Sequence, residues 1–122
     1  MEEILSALTS LTEATGLRLY LKGQVPLNTP MPYLTCQAEQ PAFGEDGDCI
    51  LTAWCAGDDA NAKRIAAGEM LSRLFPEGGV MMETTHGILT LHRGKPFLTL
   101  LPGEDERCCG VEGRLILRWY GC

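Results

Sequence analysis

The chain has 122 residues, 45% hydrophobic and 21% charged, and sixteen acids against ten bases leave a formal charge of −6. This length suits one domain, residues 1–122, that buries about two thirds of the surface its unfolded chain exposes. The composition excludes disordered and collagen-like classes, and scattered lysines and arginines with no basic stripe disfavour specific binding to nucleic acid.

The N-terminal stretch "MEEILSALTSLTEATG" starts with two acids where a secretory signal carries positive charge. No run approaches the roughly 20 apolar residues that a membrane span needs, so a cytosolic protein is expected. Ile4, Leu5, Leu8 and Leu11 recur at helical spacing from Glu2 to Thr15, and Glu2 and Glu3 complement the dipole of the first turn. Gly16 marks the stop, and "LRLYL" follows as a strand with Leu17, Leu19 and Leu21 on one side.

Three prolines between Gln24 and Pro32 predict a loop. "MPYLTCQAE" then reads as a strand, with Tyr33, Thr35 and Gln37 on one face and Leu34, Cys36 and Ala38 on the other. After the acidic turn "GEDGD", Asp48 to Ala56 is the clearest strand, with Ile50, Thr52 and Trp54 opposite Leu51, Ala53 and Cys55. Both of its faces read as largely apolar. That pattern predicts a central strand with helices on one side and room for a neighbouring subunit on the other.

"GDDANAKRIAAGEMLSRLFPEGG" carries full helix punctuation: an Asp58 or Asp59 cap, an alanine-rich body and a Pro-Glu-Gly-Gly exit. Ala67, Leu71 and Leu74 form its expected buried stripe. Four short strands are predicted after it, "GVMMET", "GILTLHRG", "PFLTLLPG" and "GVEGRLILRWYG", the second and third separated by Gly-Lys-Pro. In the last, Leu115, Leu117 and Trp119 face inward while Glu112, Arg114 and Arg118 face out. The predicted fold class is α+β, a mixed and mainly antiparallel sheet with two helices packed on one face.

No residue pattern speaks for catalysis, a metal or a cofactor. Glu45, Asp46 and Asp48 lack the alternating acids and distal Glu of a calcium loop, and read as a solvated turn. Cys49 and Cys55 fall on one strand face about 20 Å apart, too far to share a zinc ion or a disulfide. Of the six cysteines, Cys49 and Cys55 suit small apolar positions in the strand, whereas Cys108, Cys109 and Cys122 read as more exposed. Cys108 and Cys109 lack the spacing of a redox motif, and a nucleophilic pair of Cys109 with His92 stays an open alternative. Phosphate-binding glycine motifs and nucleophile elbows are absent from the sequence.

The ordered set of a helix, "PLNTPMPYLTC", an acidic loop, "GDCILTAWCAGDDANAKRIAAGEMLSRL" and a meander ending in "RLILRWYG" resembles a group of small tailed-phage and prophage proteins. The group comprises tail terminators of the lambda type, tail completion proteins and minor capsid proteins. The likeness rests on Pro32 and Tyr33 before one strand, on Ala53, Trp54 and Cys55 ending the next, and on the small residues of the helix behind it.

The resemblance implies a non-enzymatic virion protein that forms a ring, commonly a hexamer, on the head-proximal end of the tail tube. Such a ring ends tube polymerisation and offers a surface to the head–tail connector while DNA passes through its lumen without specific binding. The protein is then expected in the host cytoplasm during assembly and afterwards in the virion tail, with no membrane partner. The cysteines have no counterpart role in the group. Assembly is expected through the sheet edges and two loops, Gln37–Asp48 and Pro102–Gly110, with Phe43, Gly44, Glu45, Asp46, Glu104, Asp105, Glu106 and Arg107 as candidate contacts. The alternatives are a connector, neck or minor capsid component, a small cytosolic thiol enzyme, and a ligand-binding module.

Overall fold

The computed structural model describes residues 2–103 and 108–121. Helix α1 (Glu2–Thr12) runs into a 3₁₀ turn (Glu13–Thr15). Strands β1 (Leu19–Leu21), β2 (Tyr33–Ala38) and β3 (Asp46–Ala56) come next, then helix α2 (Ala60–Leu74), then β4 (Val80–Thr84), β5 (Gly87–Pro102) and β6 (Cys108–Gly121). The six strands form one sheet in the order β1-β2-β3-β6-β5-β4, in which β1 pairs β2 in parallel and every other pairing is antiparallel. This is the expected α+β arrangement.

Helix α1 buries Ile4, Ala7, Leu8 and Thr12, while Leu5 and Leu11 are half-buried. The apolar spacing identifies the helix but not the threonine. Thr12 is tolerated inside because its hydroxyl donates to the Leu8 carbonyl at 2.9 Å. Gly16, at φ +74°, closes the following turn with its N–H on the Glu13 carbonyl. Helix α2 buries Ala60, Ala67, Gly68 and Leu71, so small residues let it sit close against β3 and β6. Asp59 holds the N-cap position without capping through its side chain; its carboxylate pairs with Lys63 at 3.1 Å instead.

Both helices close over one face of the sheet, where Leu34, Cys36, Cys49, Leu51, Ala53, Leu89, Leu91, Val111, Leu115 and Leu117 join Ile4, Leu8, Leu71 and Phe75 in a single core. Because side chains alternate along a strand, the residues between these lie on the uncovered face.

Sequence and structure differ most at β5. "GILTLHRG" and "PFLTLLPG" form one strand of sixteen residues, not two, and Gly-Lys-Pro makes a register break between Arg93 and Leu98 where a turn was expected. Proline has no N–H for a ladder, and a bulge accommodates that defect without ending the strand. Arg93 is turned at this break onto the C-terminal end of α2. Its guanidinium donates to the Phe75 carbonyl at 2.6 Å and the Ser72 carbonyl at 3.1 Å, and stacks 4.4 Å from the Phe97 ring centre. A cation there satisfies carbonyls that the helix itself leaves open.

Candidate assembly surfaces

The loop between β2 and β3 is shorter than expected. The ladder continues to Ala38 and resumes at Asp46, so Glu39–Glu45 alone bridge the strands. The chain turns where the Glu45 N–H reaches the Ala42 carbonyl at 3.0 Å, and is tied to β6 by the Gly44 N–H on the Trp119 carbonyl at 2.9 Å. Gly44 sits at φ +71°, where an added Cβ would come within 3.3 Å of the Tyr120 ring. Phe43 meets Tyr120 edge to face at 5.5 Å between ring centres and still leaves 70% of its own surface in solvent. Asp46 lies directly across from Arg118 and forms an ion pair with it, and the carboxylate pushes the Arg118 guanidinium further up. Phe43, Gly44 and Asp46 are thus parts of one exposed corner that is anchored to the last strand.

The remaining candidate contacts, Glu104, Asp105, Glu106 and Arg107, lie outside the described residues. The strand ends that flank them do not lie beside Phe43. Ala56 pairs with Cys108 and Asp46 with Arg118, so the two loops leave opposite ends of the β3–β6 ladder. An eleven-residue strand such as β3 is about 35 Å long. Phe43 and the described strand ends Pro102 and Cys108 therefore lie at opposite ends of the sheet.

Between those ends lies the uncovered face. Tyr33 and Trp54 lie side by side on it, and Tyr33 meets Tyr20 of the next row edge to face at 5.8 Å. That next row sets Tyr20, Thr35, Thr52 and Glu112 side by side. A hollow of about 330 Å³ opens over these rows, with Lys22 and Gln37 on its rim. The sequence reading of β3 as apolar on both faces needs correction here. Ile50 and Trp54 are half-buried and alternate across the strands with threonine, Glu112 and Arg114, which is the mixed composition of a contact surface.

The two outer strands complete the inventory of surfaces. Among the described residues β1 pairs only with β2, and β4 only with β5. Met81 of β4 is 71% exposed and Glu83 is exposed as well.

The cysteines are not where exposure was expected. Cys109 is buried and Cys108 half-buried. Cys109 lies directly across from Cys55 on the helix-covered face, while Cys36 and Cys49 lie on neighbouring strands of that face, both in the core. The Cys36 sulfur and burial both push the Cys49 thiol up, and burial, more than the neighbouring Cys109, pushes up Cys55. Such thiols stay neutral and behave as small apolar groups. Cys109 and His92 do not meet. His92 pairs with Ile116 on the uncovered face, seven positions and roughly 23 Å along β6 from Cys109. His86 is engaged by the Glu3 carboxylate. Among the described residues no three His, Cys, Asp or Glu side chains converge as a metal site, and no helix is long and apolar enough to cross a membrane.

Comparison with protein-family models and with curated proteins returns no match for this chain.

Proposed function

We propose that the protein is a structural subunit of a tailed-phage virion, of the tail-terminator kind. Copies assemble as a ring on the head-proximal end of the tail tube, end its growth and present a surface to the head–tail connector. One observation carries this reading: the helices cover a single face of an open sheet, leaving the second face and both outer strands for other chains. An open sheet with two unlike edges suits head-to-tail contacts, which close into a ring when the rotation between copies allows.

The two distinct ends of the sheet support the same reading. A terminator has two axial partners, the tube on one side and the connector on the other, and a subunit with the exposed Phe43 at one end and the strand ends Ala56, Pro102 and Cys108 at the other has an end for each. A charge of −6 per copy makes a ring that double-stranded DNA passes without adhering.

The test is tube assembly in vitro. Tube protein polymerised with this chain is expected to give short tubes with extra density on one end in negative stain. Unrestrained tubes with bare ends would exclude the terminator role, and density found only on isolated head connectors would assign the protein to the neck.

A further inference from the structure

We infer that the two outer strands are each other's partners: β4 of one copy adds in parallel to β1 of the next, with Met81 beside Tyr20 and Glu83 beside Lys22. The inference rests on the ring reading above and specifies the contact that makes the ring.

An outer strand presents a row of backbone N–H and C=O groups that a further strand can use. Strand direction restricts the choice of partner. β1 runs with β2, and the four antiparallel pairings from β2 through β3, β6 and β5 to β4 reverse direction four times, so β4 and β1 point the same way. Copies related by rotation about an axis near the strand direction therefore meet with β4 parallel to β1, and with their helix-covered faces on the same side. Pairing β4 with β4 instead needs a two-fold axis, closes at two copies and leaves both β1 edges open.

Side-chain alternation fixes the face each residue takes, and among the registers that keep it the one that sets Glu83 against Lys22 pairs opposite charges. On the covered side, Val80 and Met82 come beside Leu19 and Leu21, which extends the core across the junction. On the uncovered side, the exposed Met81 gains Tyr20 as a neighbour, and the Glu83 carboxylate gains Lys22. Within one copy the Lys22 ammonium donates to Gln37 Oε1 at 3.2 Å, so it already lies over the uncovered face. Arg18, stacked 5.7 Å from the Tyr20 ring centre, adds a second positive charge to the β1 edge, and Glu77 adds a negative one before β4. The two edges carry opposite charge, which favours this pairing over either edge with itself.

The space beside β4 is shaped for such an addition. A hollow of about 320 Å³ lies between α1 and β4 and is lined by Ser6 and Ser10 of the helix and by Met82 to Thr85 of the strand. Lining residues from both faces of β4 place the hollow along its edge, and the small serines leave room for an incoming backbone.

The experiment is a charge swap read by light scattering on the full chain. Glu83→Lys alone and Lys22→Glu alone should each shift the concentration for half-assembly upward by at least about tenfold. The double variant should recover most of that loss, with circular dichroism reporting the same folded monomer throughout. Assembly that ignores both single changes, or a double variant no better than the singles, would overturn the pairing even if tubes are still capped. Rings that obey the swap but leave tube growth untouched would instead remove the phage role and keep the pairing.

Discussion

The two faces of one sheet are built from the same strands to different ends. On the helix-covered face of β3 and β6, Cys49, Leu51, Ala53, Val111, Leu115 and Leu117 are essentially inaccessible, and Thr12, the polar side chain buried over this face, bonds its own helix. On the other face the same strands set Asp48 beside Ile116, Ile50 beside Arg114, Thr52 beside Glu112 and Trp54 beside Gly110, and of these pairs only Trp54 with Gly110 carries no charged side chain. The first composition holds a monomer together, and the second is free to vary with whatever it contacts. Stability therefore resides on one side of the strand, and the alternate residues are left for the contacts that the proposed function requires.

Neighbouring substitutions in β6 break the comparison most sharply. Leu115→Ala removes a fully buried side chain and is expected to cost about 3 kcal/mol in urea unfolding. Ile116→Ala, one residue on and facing away, is expected to cost about 1 kcal/mol or less. Equal losses would show that the uncovered face is a second core. Gly110→Ala comes next. A methyl there meets the Ala53 carbonyl and the Trp54 ring at 3.0 Å, so one of them must shift, at about 2 kcal/mol. At the loop corner, Gly44→Ala forces a left-handed residue against Tyr120 and is expected to cost about 1 kcal/mol, measured the same way.

The smallest effect concerns the thiols. Iodoacetamide on the native protein should spare Cys36, Cys49, Cys55 and Cys109, and label them once the chain is unfolded in urea, as mass spectrometry would show. Cys36 and Cys49 shift in opposite directions, Cys36 down and Cys49 up, so the sign for pH comes from Cys55, which burial raises. The unfolded Cys55 thiol ionises first, near its ordinary value of about 8.5. Its contribution to stability is therefore complete below that pH and is lost as pH rises through it toward the folded value. A Cys55→Ala variant that loses stability from pH 8 to pH 10 as steeply as the parent would contradict the burial of Cys55 as a neutral thiol.

What could be read from the sequence was whatever depends on local pattern. The β3–α2 passage carries strong alternation, helix punctuation and small residues, and its place at the centre of the sheet follows from them. Outward Glu112, Arg114 and Arg118 against inward Leu115, Leu117 and Trp119 were equally plain. What depended on register was not legible. Nothing local says that Cys55 faces Cys109, that Cys36 and Cys49 share the core, or that Asp46 pairs with Arg118 across 72 positions. Gly94, Lys95 and Pro96 have the composition of a turn, and only the continuing partner strand makes them a bulge. Loop chemistry singles out Phe43, Gly44 and Asp46 as candidates, but the tie of that loop to Trp119 and Tyr120 is visible only in the fold.

The central claim is that identical copies of this chain close into a ring by joining unlike edges. Native mass spectrometry across a range of concentrations, with and without tube ends, addresses it most directly. Ring closure requires one discrete multiple of the 13.3 kDa chain in equilibrium with monomer and little between them. A monomer under every condition, a two-fold dimer as the largest species, or an open ladder of ever larger oligomers would contradict it.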